Sequence, residues 1–230
     1  MTNKFKIGIL VKNDHMVIKE VFMPTALFLE LNDEKKQTII AAGLSEFADY
    51  GYENSSTNRI VKRAGISKGS LFKYFPTKED FYFYILDKIT AELISGLKEK
   101  AGTLSTELFQ RIIEYSVLEF SWYIQYPEKS KMIVKAFAKS DTEIYRKTLS
   151  KYSAKEQDLF YWFMQDVDTT QFRFNRQKTL EIIKWFLKGF NEDFLSLLQI
   201  QSNSNFGTIR QEYTASLSEH LEMLKTGLAK

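Results

Sequence analysis

The chain has 230 residues, of which 27% are charged, and a net charge of only +3, a composition typical of a globular protein with one large or two small domains. It contains no cysteine, which excludes disulfide bonds and thiolate metal sites, and its two histidines lie far apart, so we expect no metal site and no cofactor. No stretch reaches the roughly 18 apolar residues of a membrane span, and the N-terminus has no signal-peptide pattern, so we expect a cytoplasmic protein with no membrane partner.

The first 32 residues differ from the rest and are interpreted as an N-terminal arm, residues 1–32. The apolar runs FKIGILV and MVIKEVF flank the polar KNDH, a pattern that suits two short strands around a turn. A hairpin of this size is only marginally stable in water, so the arm is expected to be a short hairpin or disordered. A start of translation at Met16 or Met23 is an open alternative.

From Asp33 onward the sequence has helical character. Asn32 or Asp33 can cap a first helix, apolar residues recur at helical spacing from 39 to 47, and Gly51 is a natural stop. Short helices are predicted at about 56–63 and 67–74. Thr77 begins a fourth helix with a Thr-x-x-Asp capping pattern, and this helix is expected to run to about residue 100. Residues 33–80 are therefore predicted to form a small helical domain.

Positive charge is concentrated in one part of this domain. Between residues 54 and 78 there is no acidic residue, while the rest of the chain has a net negative charge. The six basic residues of this segment are Arg59, Lys62, Arg63, Lys68, Lys73 and Lys78. A solvated helix face usually mixes both signs, so the segment favours a polyanion as partner.

The two short helices have the spacing of a helix-turn-helix, with Gly65 in the turn. Ser67 can cap the second helix, and Leu71 and Phe75, four residues apart, are expected to anchor it in the core. Gly69 costs helix stability, and its benefit is a close approach of the backbone to a base edge or a phosphate. An ordinary surface turn with lysines is the alternative interpretation.

At these residues a specific resemblance appears. The stretch IIAAGLSEFADYGYENSSTNRIVKRAGISKGSLFKYFPTKEDFYFYIL resembles the N-terminal domain of TetR-family transcriptional regulators, in both order and spacing, over about fifty residues. The resemblance implies that the third helix enters the major groove of DNA. It also implies recognition-helix contacts from Ser67, Lys68, Gly69, Ser70, Lys73 and Tyr74, phosphate contacts from Ser56 and Thr57, and a phosphate clamp at Lys78.

Phe72 departs from that pattern, because the family usually has tyrosine at this position. The phenol hydroxyl that commonly reaches a phosphate is therefore absent. Phe72 is retained as a DNA-binding candidate that can press on a sugar edge or a thymine methyl, with Lys73 as a replacement phosphate contact.

Residues 81–230 are predicted to form a second, larger helical unit, with helices at about 105–125, 128–138, 141–165, 176–201 and 207–227. Aromatic residues are dense between 108 and 163, which suits either core packing or a pocket for an apolar or aromatic ligand. The resembling family has its effector domain here. The candidate effector residues are Phe120, Trp122, Tyr123, Tyr126, Phe160, Trp162 and Phe163.

The last two helices are expected to mediate a homodimer. The segment 180–200 is apolar around nearly its whole circumference, and the final helix carries one apolar stripe, which together suit a four-helix bundle between two subunits. A monomer with a central helix is the alternative. The candidate dimer residues are Trp185, Phe186, Phe190, Phe194, Leu217, Leu221 and Leu224.

The predicted fold is all-α, with a three-helix N-terminal helix-turn-helix domain followed by a larger helical-bundle domain for ligand binding and dimerisation. The expected function is that of a ligand-responsive transcriptional repressor, which binds a palindromic double-stranded DNA operator as a dimer and is released by a small-molecule effector. The alternative is a helical dimeric ligand-binding or scaffold protein without sequence-specific DNA binding. No nucleophile, histidine and acid can be grouped, so no enzymatic activity is expected.

Overall fold

The computed structural model describes residues 24–200 and 206–228. The chain folds into α-helices joined by short connections, which confirms the predicted all-α class. The helices are α1 Ala26–Leu29, α2 Asp33–Tyr50, α3 Thr57–Ala64, α4 Lys68–Tyr74, α5 Lys78–Lys100, α6 Leu108–Gln125, α7 Pro127–Phe137, α8 Glu143–Phe163, α9 Arg176–Ile200 and α10 Phe206–Leu228, with a 3₁₀ turn at Ala101–Thr103.

Local sequence signals set the helix boundaries near the N-terminus. Asn32 Oδ1 accepts a hydrogen bond from the Lys35 N–H at 2.8 Å and caps α2. Gly51 and Gly65 have φ of +67° and +63°, the left-handed region that glycine adopts without a steric penalty, and they end α2 and α3. Thr77 and Asp80 form the predicted reciprocal capping box of α5.

Helix α1 belongs to the part of the chain that the sequence assigns to the arm. Phe28 is fully buried there, and Thr25 is hydrogen-bonded to the end of α4. Residues 24–32 therefore pack on the helices that follow. The predicted hairpin, with its two apolar runs, lies outside the described residues.

Residues 24–77, here called the head, share an aromatic core with the first turns of α5. Phe47 and Phe75 are fully buried and contact the Phe81 ring, with centroid distances of 6.0 and 4.6 Å. Gly43 of α2 faces Phe81 and Ile85, and its lack of a side chain lets α2 and α5 approach closely. This core fixes the orientation of α3 and α4.

The remaining helices pack on the second half of α5 and on one another. Helix α10 packs on α6, and α7 packs on α2 of the head. The buried guanidinium of Arg111, in α6, donates to the carbonyls of Phe163 and Ser105 and so links α6 to the end of α8. In the described ranges, no helix is both long and apolar enough to cross a membrane.

Candidate nucleic-acid interface

The helix-turn-helix consists of α3 and α4, joined by the turn at Gly65. Ser67 Oγ accepts from the Ser70 N–H at 3.0 Å and lies 2.8 Å from the Ser70 hydroxyl, so both serines help to start α4. Leu71 and Phe75 are 2% and 0% exposed, as their spacing predicts. Helix α4 is here called the recognition helix. Its side opposite Leu71 and Phe75 consequently faces solvent.

The predicted recognition residues lie on or beside that solvent-facing side. Lys68, Gly69, Phe72 and Lys73 are exposed, while Ser70 is half-buried. Tyr74 is half-buried because its ring packs against Phe28, at a centroid distance of 5.8 Å. Phe72 has 37% of its surface exposed, which is a large area for an apolar ring.

Four basic side chains of the segment are available to an anion. Lys62, Arg63, Lys68 and Lys73 are all exposed. None of them forms an ion pair with any residue in the described part of the chain. These four residues are here called the basic surface. Four unneutralised cations on two adjacent short helices make a local positive potential.

Arg59 does not belong to the basic surface, although the charge count includes it. Its guanidinium is paired with Glu46, a carboxylate that is only 1% exposed, and Arg59 Nε lies 2.9 Å from Glu46 Oε1. The hydrogen bond to Glu46 raises the pKa of Arg59. The segment therefore presents less positive charge than its sequence indicates.

Glu46 also explains the start of α3. Its Oε1 accepts from the Ser56 N–H at 2.8 Å, so a carboxylate from α2 satisfies this amide. The Ser56 side chain makes no capping bond to α3. Ser56 and Thr57, the predicted phosphate contacts, are both half-buried at this helix end. Sequence reasoning missed Glu46, and its signal was an acid among the apolar positions Leu44 and Phe47.

Lys78, the predicted phosphate clamp, points its ammonium group at the turn between α2 and α3. Nζ donates to the Tyr52 carbonyl at 2.7 Å and to the Ser55 carbonyl at 3.3 Å, and it lies 4.3 Å from the Tyr52 ring centroid. Burial lowers the pKa of Lys78. Two of the three ammonium donors are thus used inside the head, and one is left for a phosphate.

The candidate effector residues do not converge on a single cavity. Phe120 and Phe163 are buried, and pack against Tyr213 and Tyr115 at centroid distances of 4.8 and 4.6 Å. Trp122 and Tyr126 line a cleft of about 310 Å³ between α5 and α6. Half-buried positions are occupied by Tyr123, Phe160 and Trp162. Most of this set packs in the core, the alternative that the aromatic density left open.

The candidate dimer residues divide into two groups. Leu217 and Leu221 are 0% and 1% exposed in the single chain. They lie in its own core, on the helix that packs against α6, and their place at a subunit interface stays a prediction. Trp185, in contrast, is 66% exposed on α9. Half-buried positions in the same region are occupied by Phe186, Phe190, Phe194 and Leu224.

Comparison with known proteins agrees with this geometry. A model of the family described as bacterial regulatory proteins, tetR family, matches residues 39–85. The HTH-type transcriptional regulator RutR of Escherichia coli (strain K12) is 31% identical over 98 residues, which cover 43% of this chain and 45% of RutR. The match thus spans less than half the length of this relative.

Solved structures are similar over most of the chain. A TetR family transcriptional regulator from Chloroflexus aurantiacus J-10-FL has a TM-score of 0.61 at 21% identity, covering 90% of this chain and 99% of that one. The transcriptional regulator FadR from Bacillus subtilis, in complex with stearoyl-CoA, has a TM-score of 0.57 at 15% identity, covering 79% and 97%. At these identities the likeness concerns the fold.

A short helix with an exposed polar and basic side, joined by a tight turn to a second short helix, is the DNA-binding element of helix-turn-helix transcription regulators. The comparisons indicate one family within that class. Residues 39–85, which carry most of α2, all of α3 and α4 and the start of α5, match the model of the TetR family of bacterial regulatory proteins, so this part of the chain is similar to the regulators of that family.

Proposed function

We propose that this protein is a cytoplasmic transcriptional regulator that binds a double-stranded DNA operator through α3 and α4. The observation that carries the proposal is the basic surface, whose four cations form no ion pair among residues 24–200 and 206–228, while the neighbouring Arg59 and Lys78 have partners in the head. Phosphates are the partner that such a surface fits, and α4 is the element that can enter the major groove.

The proposed roles follow from where each side chain lies. Base and sugar contacts come from the exposed side of α4, with Gly69 allowing close approach and Phe72 offering an apolar ring. Phosphate contacts come from the basic surface and from the free donor of Lys78. The hydroxyls of Ser56 and Thr57 lie at the adjacent start of α3 and add to the phosphate contacts.

The regulator is proposed to act as a homodimer and as a repressor. Trp185 is the exposed anchor of the interface, supported by the half-buried rings of Phe186, Phe190 and Phe194 and by Leu224. A two-fold dimer presents two recognition helices, so the operator is proposed to be palindromic.

The effector is proposed to bind in residues 81–230 and to be a small apolar or aromatic molecule. The cleft beside Trp122 and Tyr126 is the candidate effector site, because its lining combines aromatic rings with polar side chains of α5 and α6. The FadR structure of similar fold is a complex with stearoyl-CoA, a molecule with a long apolar chain, and this supports the proposal of an apolar effector. The DNA-binding domain, predicted for residues 33–80, is proposed to include the packed residues 24–32 as well.

Binding of duplex DNA by wild type and by matched lysine variants tests this function. Lys68→Ala and Lys73→Ala should each weaken binding and lower the salt slope by about one, as expected for the loss of one phosphate contact. Lys178→Ala, which removes an exposed lysine of α9, is the control and should bind like wild type. Equal affinity of all four proteins, or no binding at all, would favour a helical ligand-binding or scaffold protein instead.

A further inference from the structure

A short N-terminal segment, residues 24–31, packs against the C-terminal end of the recognition helix. This segment, here called the strap, precedes the residues that match the family model. Phe28 of the strap is fully buried among three rings. Its centroid lies 5.8 Å from that of Tyr74, 4.8 Å from that of Phe75 and 5.6 Å from that of Tyr84, so it joins α4 to α5.

The C-terminal end of the recognition helix requires stabilisation from outside the helix. It has seven residues, and isolated helices of that length are unstable in water. Its last carbonyls lack helical donors, because Pro76 has no N–H and the Thr77 N–H donates to Asp80 Oδ2. The helix therefore depends on a donor from elsewhere in the chain.

Thr25 of the strap supplies donors to two of these last carbonyls. Its backbone N–H donates to the Tyr74 carbonyl at 2.9 Å, and its hydroxyl donates to the Lys73 carbonyl at 2.8 Å. Ser67 closes the other end of α4 from within the helix-turn-helix. The two carbonyls that Thr25 holds belong to the residues whose side chains are proposed to meet DNA.

We infer that Thr25 and Phe28 are positioning residues for DNA recognition, which act through α4 without touching DNA themselves. The inference rests on the proposed function. Specific contacts depend on the angle at which the helix meets the groove, whereas non-specific attraction depends mainly on charge. Loosening the strap should therefore weaken specific binding and leave non-specific binding unchanged.

Thr25→Val tests the inference, because valine keeps the branched shape and removes only the hydroxyl donor. Thr25→Ser restores the hydroxyl, and Thr38→Val removes a comparable hydroxyl that donates to the Glu34 carbonyl at 2.9 Å on α2. Two quantities are measured in each full-length protein. One is the exchange rate of the Tyr74 and Phe75 amides without DNA. The other is the ratio of affinities for a duplex selected by wild type from a random pool and for a scrambled duplex.

Thr25→Val is expected to speed exchange and to reduce the affinity ratio by roughly 2- to 10-fold each, the effect of one lost hydrogen bond. Thr25→Ser and Thr38→Val should match wild type. The inference is overturned if the Thr25→Val protein melts earlier but has the same exchange rates and the same affinity ratio as wild type. The Thr25 hydroxyl would then only stabilise the fold. If wild type selects no duplex, the proposed function fails. The exchange rates of the Tyr74 and Phe75 amides in Thr25→Val then still decide whether Thr25 stabilises α4.

Discussion

At the residue scale, burial separates cations that have similar positions in the sequence. Lys68 and Lys73 extend from α4 into solvent, whereas Lys78 donates to two carbonyls of the α2–α3 turn and Arg59 is paired with Glu46. A cation that is already hydrogen-bonded inside the head has less to gain from a phosphate than one that is fully hydrated. The proposed DNA contacts therefore depend mainly on Lys68 and Lys73, whereas Arg59 and Lys78 also stabilise the head.

Lys78→Met is expected to destabilise the protein more than it weakens DNA binding. Methionine keeps the contact with the Tyr52 ring but removes the ammonium donor of both carbonyls, at a cost of about 1–2 kcal/mol, although the Tyr52 carbonyl still accepts from the Ser55 hydroxyl. The midpoint of urea unfolding measures the effect. Lys68→Ala is the matched variant and should unfold like wild type. A Lys78→Met protein of unchanged stability would show that the inward bonds contribute nothing.

Gly69→Ala is expected to affect stability and DNA binding in opposite directions. An added Cβ would meet only Ser67 Oγ at 3.8 Å, so the fold offers no reason for glycine, and alanine should stabilise α4 by about 0.5–1 kcal/mol. The same methyl group would hinder close approach to DNA. Thermal unfolding and DNA titration measure the two effects. A stabilised variant with undiminished DNA affinity would remove Gly69 from the interface.

The contacts of single residues were predictable where the partner is local in sequence. Ser67 as the cap and Leu71 and Phe75 as anchors follow from helix geometry and spacing. The Glu46–Arg59 pair and the inward turn of Lys78 depend on how α2, α3 and α5 pack, which a charge count does not contain. The count therefore overstated the positive charge that faces solvent.

At the element scale, the head is held by the close approach of α2 and α5. Gly43→Ala should destabilise the protein by about 1–3 kcal/mol, because an added Cβ would overlap the Phe81 ring and lie 2.6 Å from Ile85 Cδ1. Gly227→Ala on α10, where an added Cβ has open space, is the control and should be neutral or slightly stabilising. Denaturant titration compares them. Equal stability of the two variants would contradict the packing of α2 on α5.

Helix boundaries were predictable where the local sequence contains capping residues or a glycine that ends a helix. Asn32, Gly51 and the Thr77–Asp80 box bound α2 and α5 as expected. Helix α1 was missed because four residues are too few to show a helical period. Its stability comes from burying Phe28 against α4 and α5, and this tertiary effect cannot be predicted from local propensity.

At the scale of the whole molecule, α7 connects the head to the helices that follow. It packs along α2, and Lys135 Nζ donates to the carbonyl of Asp49 near the end of α2. Lys147 of α8 forms an ion pair with Glu79 at 2.7 Å, in the first turn of α5. A rearrangement around α6 and α7 would therefore be transmitted to the head through these contacts.

Trp185→Glu is expected to shift the proposed dimer to a monomer without unfolding the chain. The indole is 66% exposed in the single chain, so a charge there costs little in the monomer but disrupts an apolar interface. Leu149→Glu, at a 40% exposed leucine of α8, is the control and should leave the dimer intact. Sedimentation velocity measures both. A Trp185→Glu protein that remains dimeric would place the interface elsewhere.

The apolar stripe of α10 illustrates what the sequence leaves undecided at this scale. Leu217 and Leu221 form a regular stripe, and burial against the same chain or against a second subunit gives the same pattern. Only the packing of α10 on α6 separates the two cases. The aromatic residues 120–163 were ambiguous for the same reason, since rings in a core and rings lining a pocket share one composition.

Selection of duplexes from a random DNA pool by the full-length wild-type protein tests sequence-specific DNA recognition most directly. The enriched duplexes should share two half-sites related by a dyad and separated by one helical turn or more, with affinity that falls steeply as salt rises. Recovery of a pool without any common sequence, bound no better than the starting pool, would contradict sequence-specific recognition by α4.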